Sequence, residues 1–297
     1  PAPGPLSIDT LRFDFMEECV SELRKDPVIN RWVIVATERG KRPTDFVTTE
    51  PQGEPGICPF DDGNEHMTPH EIFAVRSADS LADRSGWRLR VVPNKYPALH
   101  VEGVVEREGV GMFDKMSGIG AHEVIIETPV HYDPFHRRTV ENIVELLDVY
   151  QKRMLDLYKD IRLTYALVFK NHGMRAGASL NHEHSQIIAT PIIPKRVGEE
   201  ISGSFEYFRY KSRCVFCDII REEKRFGSRI VFENASFVTL CPFASRFPFE
   251  IWLLPKRHMA GYTMMTGQEM IELAECLSVT MKRLASAPGE PQYNWMI

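Results

Sequence analysis

The chain has 297 residues, of which 43% are hydrophobic and 26% charged, with a net charge of −5. That is the balance of a globular protein long enough for two ordinary domains. It excludes a basic nucleic-acid-binding surface and a polybasic membrane surface, and no apolar run approaches the length of a membrane span. The opening PAPGPLSIDTLRF has neither the basic start nor the apolar stretch of a signal peptide, and lacks an initiating Met, as a trimmed start would. The cysteines are Cys19, Cys58, Cys214, Cys217, Cys241 and Cys276, and only Cys214 and Cys217 form a C-x-x-C pair. Without a secretion signal, that spacing favours metal over a disulfide framework.

In chain order, Arg31 to Ala36 reads as a strand followed by a basic turn containing Arg39 and Arg42. A loop-like stretch, 47–57, leads to Cys58-Pro59-Phe60-Asp61. WRLRVVP (87–93) has a strand pattern and runs into an N-K-Y-P turn carrying Asn94 and Tyr96. His122 to Glu127 is a further strand, ending at Thr128-Pro129-Val130-His131. Apolar residues then recur at helical spacing from Val140 to Tyr158, predicting a helix over about 139–160 with Thr139 as its N-cap. Tyr165 to Lys170 is the strand that enters NHGMRAGASLNHEHSQIIA (171–189).

In that stretch His182, His184 and Gln186 stand two residues apart ahead of an Ile-Ile-Ala run, so a strand would turn all three to one face. Gly173, Gly177, Ala178 and Ser179 lie upstream, small residues that let a backbone pass close to a ligand. A glycine-bearing loop running into aligned imidazoles suggests a phosphate site with a nucleophile in it. Composition turns polar after Pro194, which places a domain boundary near residue 200. Beyond it the chain reads as a degenerate second copy of the first half. Cys214-Val215-Phe216-Cys217 mirrors Cys58 to Asp61, Phe249 to Pro255 mirrors the strand from His122, and His258 mirrors His131. A helix around 267–285 mirrors the first helix, and Tyr293 to Ile297 mirrors the strand from Tyr165. The step from His131 to His182, repeated from His258, passes Ile297, so the natural chain is expected to extend further.

These motifs resemble the galactose-1-phosphate uridylyltransferase family of the histidine-triad superfamily. In that family an Asn-x-Gly segment leads through small residues and a Ser to His-x-His-x-Gln, matched here by Asn171, Gly173, Ser179, His182, His184 and Gln186. The resemblance extends through 22–46, 94–99 and 247–258. It implies an α+β fold of two tandem histidine-triad-like domains, each an antiparallel sheet with packed helices. The corresponding spans are 1–200 and 201–297, the second incomplete at its end. It further implies a cytoplasmic homodimer. Arg39 and Arg42 would lie near the nucleotide phosphates, where a planar guanidinium matches phosphate oxygens. Asn94 would contact the nucleoside, and Tyr96 the base or ribose. Structural zinc is implied at one or two sites. Cys58, Asp61, His131 and His182 would form the first, with Asp61 where the family has a second cysteine. Either the carboxylate replaces that thiolate or this site is lost and Cys58 is merely buried. Cys214, Cys217 and His258 would form the second, against the reading of a reduced cysteine pair.

The reaction implied is a double displacement on a nucleotide sugar. His184 attacks the α-phosphorus, a sugar 1-phosphate leaves, and a second phosphate acceptor takes the nucleotide. Gln186, Ser179 and Asn171 would donate hydrogen bonds to the phosphoryl oxygens, whereas Glu183, on the opposite strand face, has no chemical role. Uridylyl transfer between UDP-glucose and galactose 1-phosphate is the leading reading. ADP-glucose phosphorolysis is the alternative within the family, and a non-catalytic nucleotide-binding protein the alternative from another class.

Overall fold

A computed structural model describes residues 22–29, 32–35, 57–287, 289 and 291–297. Arg39 and Arg42 lie outside these. In chain order the elements are β1 (Glu22–Lys25), β2 (Trp32–Val35), β3 (Phe73–Arg76), β4 (Trp87–Pro93), β5 (Arg107–Val110), β6 (Phe113–Met116), β7 (Ala121–Ile126), α1 (Val140–Leu157), β8 (Tyr165–His172) and β9 (His184–Thr190). Then come α2 (Lys195–Lys211), α3 (Val215–Phe226), β10 (Ile230–Glu233), β11 (Phe237–Leu240), β12 (Trp252–Pro255), α4 (Gly267–Ala285) and β13 (Tyr293–Met296). Every pairing between these strands is antiparallel.

The main sheet has six strands in the order β13-β8-β9-β7-β4-β3, and a second has three, β10-β11-β12. Alternation decides which face of the main sheet is covered. In β9, Ser185, Ile187 and Ala189 are buried while Gln186 and Ile188 are half-buried. Ile187 and Ala189 join Val91, Ile125 and Val168 in one core with Leu146, Leu147 and Tyr150 of α1 and Leu273, Ala274 and Leu277 of α4. Each buried Val, Leu or Ile side chain among these contributes roughly 1.5–3 kcal/mol. His184 and Gln186 therefore occupy the face opposite the helices.

Most expected elements form. Thr139 caps α1, its hydroxyl accepting from the Asn142 N–H at 3.3 Å. α4 opens with a reciprocal capping box between Thr266 and Glu269. Two features differ. The compositional change near residue 200 falls inside α2, a helix with no buried residue, so its polarity is that of an exposed helix. The last strand, β13, pairs directly with β8, Asn294 opposite Asn171 and Trp295 opposite Lys170, so the C-terminal part of the chain contributes a strand to the main sheet. No helix among the described residues is long and apolar enough to cross a membrane.

Candidate active site and metal centres

β9 starts at His184, and His182 lies just before it. Both imidazoles still face the same side, since the Phe60 ring meets His182 at 5.9 Å and His184 at 5.4 Å, edge to face. His184 is 7% exposed. Its Nδ1–H donates to the His182 carbonyl at 2.8 Å, which leaves the Nε2 lone pair without a hydrogen bond among the described residues. Burial, reinforced by the nearby Lys170 charge, holds the imidazole below the usual histidine range, so its neutral form is favoured.

Behind this strand lies a buried ionic network. Glu183 pairs with Lys170 and with His172 Nδ1, the latter at 3.1 Å. Lys170 also reaches Glu127 at 2.7 Å, which in turn accepts from Arg138 at 2.8 Å. Despite burial, which alone would raise them, the Lys170 charge draws both carboxylates below their ordinary range. Removing one member would leave a buried charge unpaired, a loss of about 3–5 kcal/mol. Glu183, which has no role legible in the sequence, is thus part of the ionic floor under the two histidines.

The loop joining β8 to β9 is held from β13. Asn294 Nδ2 donates to Asn171 Oδ1 and to the Ala176 carbonyl, both at 2.7 Å. Gln292 Oε1 accepts from the Arg175 N–H at 2.5 Å. Gly173, at φ 88°, cannot be replaced without strain, because a Cβ there would run into the Gln292 side chain. Because Asn171 Oδ1 is occupied by Asn294, the Asn171 amide is left to donate. Ser179 is exposed in the same loop. On the other side, Asn94 Nδ2 lies 3.4 Å from Gln186 Oε1, while Tyr96 is 83% exposed.

Cys58, Asp61, His131 and His182 converge, their ligand atoms within 4.8 Å of one another. Asp61 Oδ1 is 2.8 Å from His131 Nδ1 and 3.1 Å from His182 Nδ1, and Cys58 Sγ is 3.8 Å from the latter. His182 Nε2–H donates to the Thr128 carbonyl at 2.7 Å, which leaves the Nδ1 lone pair aimed at Cys58 and Asp61. A ring held by its far nitrogen is the usual arrangement of a metal-binding histidine. One sulfur, one carboxylate oxygen and two imidazole nitrogens suit a tetrahedral divalent cation. A second group, Cys214, Cys217 and His258, brings its donors within the same limit. Cys214 is the N-cap of α3 and Cys217 lies in its first turn, so both sulfurs face His258, whose Nδ1 is 3.5 Å from Cys217 Sγ.

Two contributors escaped the sequence reading. Asn294 is one, and His122 the other. His122 Nε2 lies 2.8 Å from Gln186 Oε1, and its Nδ1 accepts from the Ala98 N–H at 3.1 Å. Only strand register could have revealed either, since β7 and β9, and likewise β8 and β13, are far apart in sequence.

Residues 12–194 match the family described as galactose-1-phosphate uridyl transferase, N-terminal domain. The ADP-glucose phosphorylase of Arabidopsis thaliana is 36% identical over 96% of this chain and 80% of its own. The galactose-1-phosphate uridylyltransferase of Thermotoga maritima is 30% identical over 87% of this chain and 74% of its own. Among solved structures, the Arabidopsis thaliana ADP-glucose phosphorylase with bound ADP-glucose superposes with a TM-score of 0.77 at 33% identity, covering 93% of this chain and 82% of that one. A uridylyltransferase structure gives 0.68 at 27% identity, covering 93% and 79%. The chain belongs to the galactose-1-phosphate uridylyltransferase family of nucleotidyltransferases.

Proposed function

We propose that this protein transfers a nucleotide between a nucleotide sugar and a phosphate acceptor through a covalent nucleotidyl-His184. The observation that carries this is the fixed tautomer of a buried, neutral imidazole, with Nδ1–H committed to the His182 carbonyl and Nε2 open. Nε2 attacks the α-phosphorus. The bond from phosphorus to the bridging oxygen breaks, and the hexose 1-phosphate leaves with the electron pair. An acceptor phosphate oxygen then attacks the same phosphorus and the P–N bond breaks, returning the imidazole.

Gln186, Asn171 and Ser179 donate to the phosphoryl oxygens as charge develops, and the Gly173 turn keeps the backbone close. Arg39 and Arg42 serve the phosphates, Asn94 and Tyr96 the nucleoside. Zinc has a structural part at two places: at Cys58, Asp61, His131 and His182 it braces the start of the strand that carries His184, and at Cys214, Cys217 and His258 it ties the start of α3 to the segment after β12. The two halves, about 1–200 and 201–297, are tandem histidine-triad-like domains of a cytoplasmic homodimer, with α2 crossing the boundary and β13 of the second half completing the sheet of the first.

The first reading of the substrate is UMP exchange between UDP-glucose and galactose 1-phosphate, and the Thermotoga maritima relative supports it. The second is ADP-glucose phosphorolysis. It is favoured by one observation: identity and TM-score are both higher for the ADP-glucose phosphorylase than for the uridylyltransferases. Incubation with nucleotide-labelled UDP-glucose and ADP-glucose, in parallel, separates the two. The sugar nucleotide that leaves an acid-labile label on the protein identifies the nucleotide transferred. A protein labelled by neither is not a nucleotidyltransferase of these substrates.

A further inference from the structure

We propose that His122 is a positioning residue that fixes the side-chain amide of Gln186 for phosphoryl binding. The inference rests on the transfer reading above. It concerns a residue on the neighbouring strand, across from the histidine strand.

A glutamine amide has one face that accepts and one that donates, and the two are nearly the same shape. Left to itself Gln186 could present either to a phosphate. Only the NH₂ end is useful against a phosphoryl oxygen; the carbonyl end repels it. The hydrogen bonds around His122 decide between them. The backbone N–H of Ala98 donates to His122 Nδ1 at 3.1 Å. That nitrogen must therefore carry the lone pair, and the ring proton sits on Nε2. Nε2–H points at Gln186 Oε1 at 2.8 Å. Asn94 Nδ2 lies between the two, 3.2 Å from His122 Nε2 and 3.4 Å from Gln186 Oε1; its own Oδ1 is taken by the Tyr96 N–H at 2.9 Å, so this end can only donate, and with the ring proton on Nε2 it donates to Gln186 Oε1. Turning Gln186 over would set its NH₂ against two donors. Its Oε1 is thus committed, and its NH₂, on the strand face shared with His184, makes no hydrogen bond among the described residues.

The backbone holds the relay in place. His122 sits opposite Ile188 in the β7–β9 pairing, two residues along from the Val124–Gln186 pair and on the same face of the sheet. The Asn94 N–H donates to the His122 carbonyl at 2.8 Å, which ties the end of β4 to the start of β7. A chain of defined donors therefore runs from the Ala98 backbone through one imidazole to the amide beside the nucleophile.

Two substitutions of similar size test this. In His122→Gln the side-chain amide reaches the place of Nε2, so a donor to Gln186 survives while the acceptor for Ala98 is lost. In His122→Asn the shorter amide reaches the place of Nδ1, so the Ala98 contact survives and the donor to Gln186 is lost. The measured quantity is the single-turnover rate of His184 labelling by the sugar nucleotide that labels the wild-type protein, with KM recorded alongside. His122→Gln should keep a rate close to wild type. His122→Asn should lose about 10- to 100-fold in rate, as when the outer partner of an active-site group is removed, with a smaller change in KM. Gln186→Ala should lose about 100-fold or more, and adding His122→Asn to it should cost nothing further. A merely structural His122 would instead multiply the two losses. If wild type is labelled and His122→Asn is labelled just as fast, the assignment falls while the transfer reading stands. Loss of rate in His122→Gln also overturns it, and this arm holds even if the Asn variant does not fold. A wild-type protein labelled by neither sugar nucleotide overturns the transfer reading and this assignment with it.

Discussion

An imidazole that attacks phosphorus must keep its proton on the nitrogen that does not attack, and His184 meets that condition through one bond to the His182 carbonyl. His184→Gly should therefore abolish turnover, by a factor on the order of 10⁴ or more, while nucleotide sugar still binds. Supplying a nucleotidyl-imidazole should restore transfer to a sugar phosphate, because the small molecule takes over as covalent carrier. His182→Gly should behave differently, losing metal and thermal stability with no rescue by the adduct; normal turnover in His184→Gly would remove the nucleophile assignment. At Asp61, whose Oδ1 lies between two imidazole nitrogens, substitution by Cys should slow loss of zinc to a chelator, since a thiolate is the stronger zinc ligand. Unchanged release would take Asp61 out of the ligand set. At this scale the histidines were legible because a strand repeats every two residues, and alternation alone aligns His184 with Gln186. His122 was not, because its meaning lies in a cross-strand hydrogen bond that depends on register.

Helices were legible in proportion to the apolar face they bury. α1 and α4 place leucines and aromatic or sulfur-bearing side chains in the core, and their periodicity shows in the sequence. α2 buries none of its residues, and the short α3 buries two acids, Asp218 and Glu223, alongside Val215 and Ile220. Those two acids are paired with arginines, Asp218 with Arg213 and Arg221, Glu223 with Arg229. At the start of α4, hydrogen bonds from Arg257 and from the Thr266 backbone hold Glu269 near a pKa of about 2, against its ordinary 4.5. A depressed carboxylate stabilises the fold above its unfolded value, and that contribution drains away as pH falls from about 4.5 towards about 2. Glu269→Gln should accordingly be less stable than wild type near neutrality, with the gap closing across that window; urea midpoints at about pH 6 and about pH 3 read it directly. In α2, Gly203 looks like a position to improve, since Gly costs about 1 kcal/mol against Ala within a helix. A Cβ there would run into the Val28 carbonyl oxygen, however. Gly203→Ala should destabilise by about 1–3 kcal/mol in urea unfolding, and a rise in stability would show that residues 26–29 do not rest on α2.

For the molecule as a whole, the last strand is legible in the sequence but its destination is not. Read as a copy of the strand from Tyr165 to Lys170, the stretch from Tyr293 to Ile297 belongs in a second sheet; β13 instead lies beside β8 in the same sheet. Hydrophobic pattern identifies a strand without naming its neighbour. The tie between Asn294 and Asn171 spans 123 residues of sequence, and this sets an order of assembly. Contacts this distant must wait for a long stretch of chain to be ordered or synthesised, so they close late. In pulse-labelled hydrogen exchange during refolding, the amides of β13 should become protected after those of the β7–β9 pairing; simultaneous protection would mean one concerted closure. The histidine strand can form with its β7 and β8 neighbours while the loop from Asn171 to Gly177 is still untethered. A refolding or nascent chain would then hold its nucleophile before it holds the surface that faces it, and activity would lag behind the bulk of the fold.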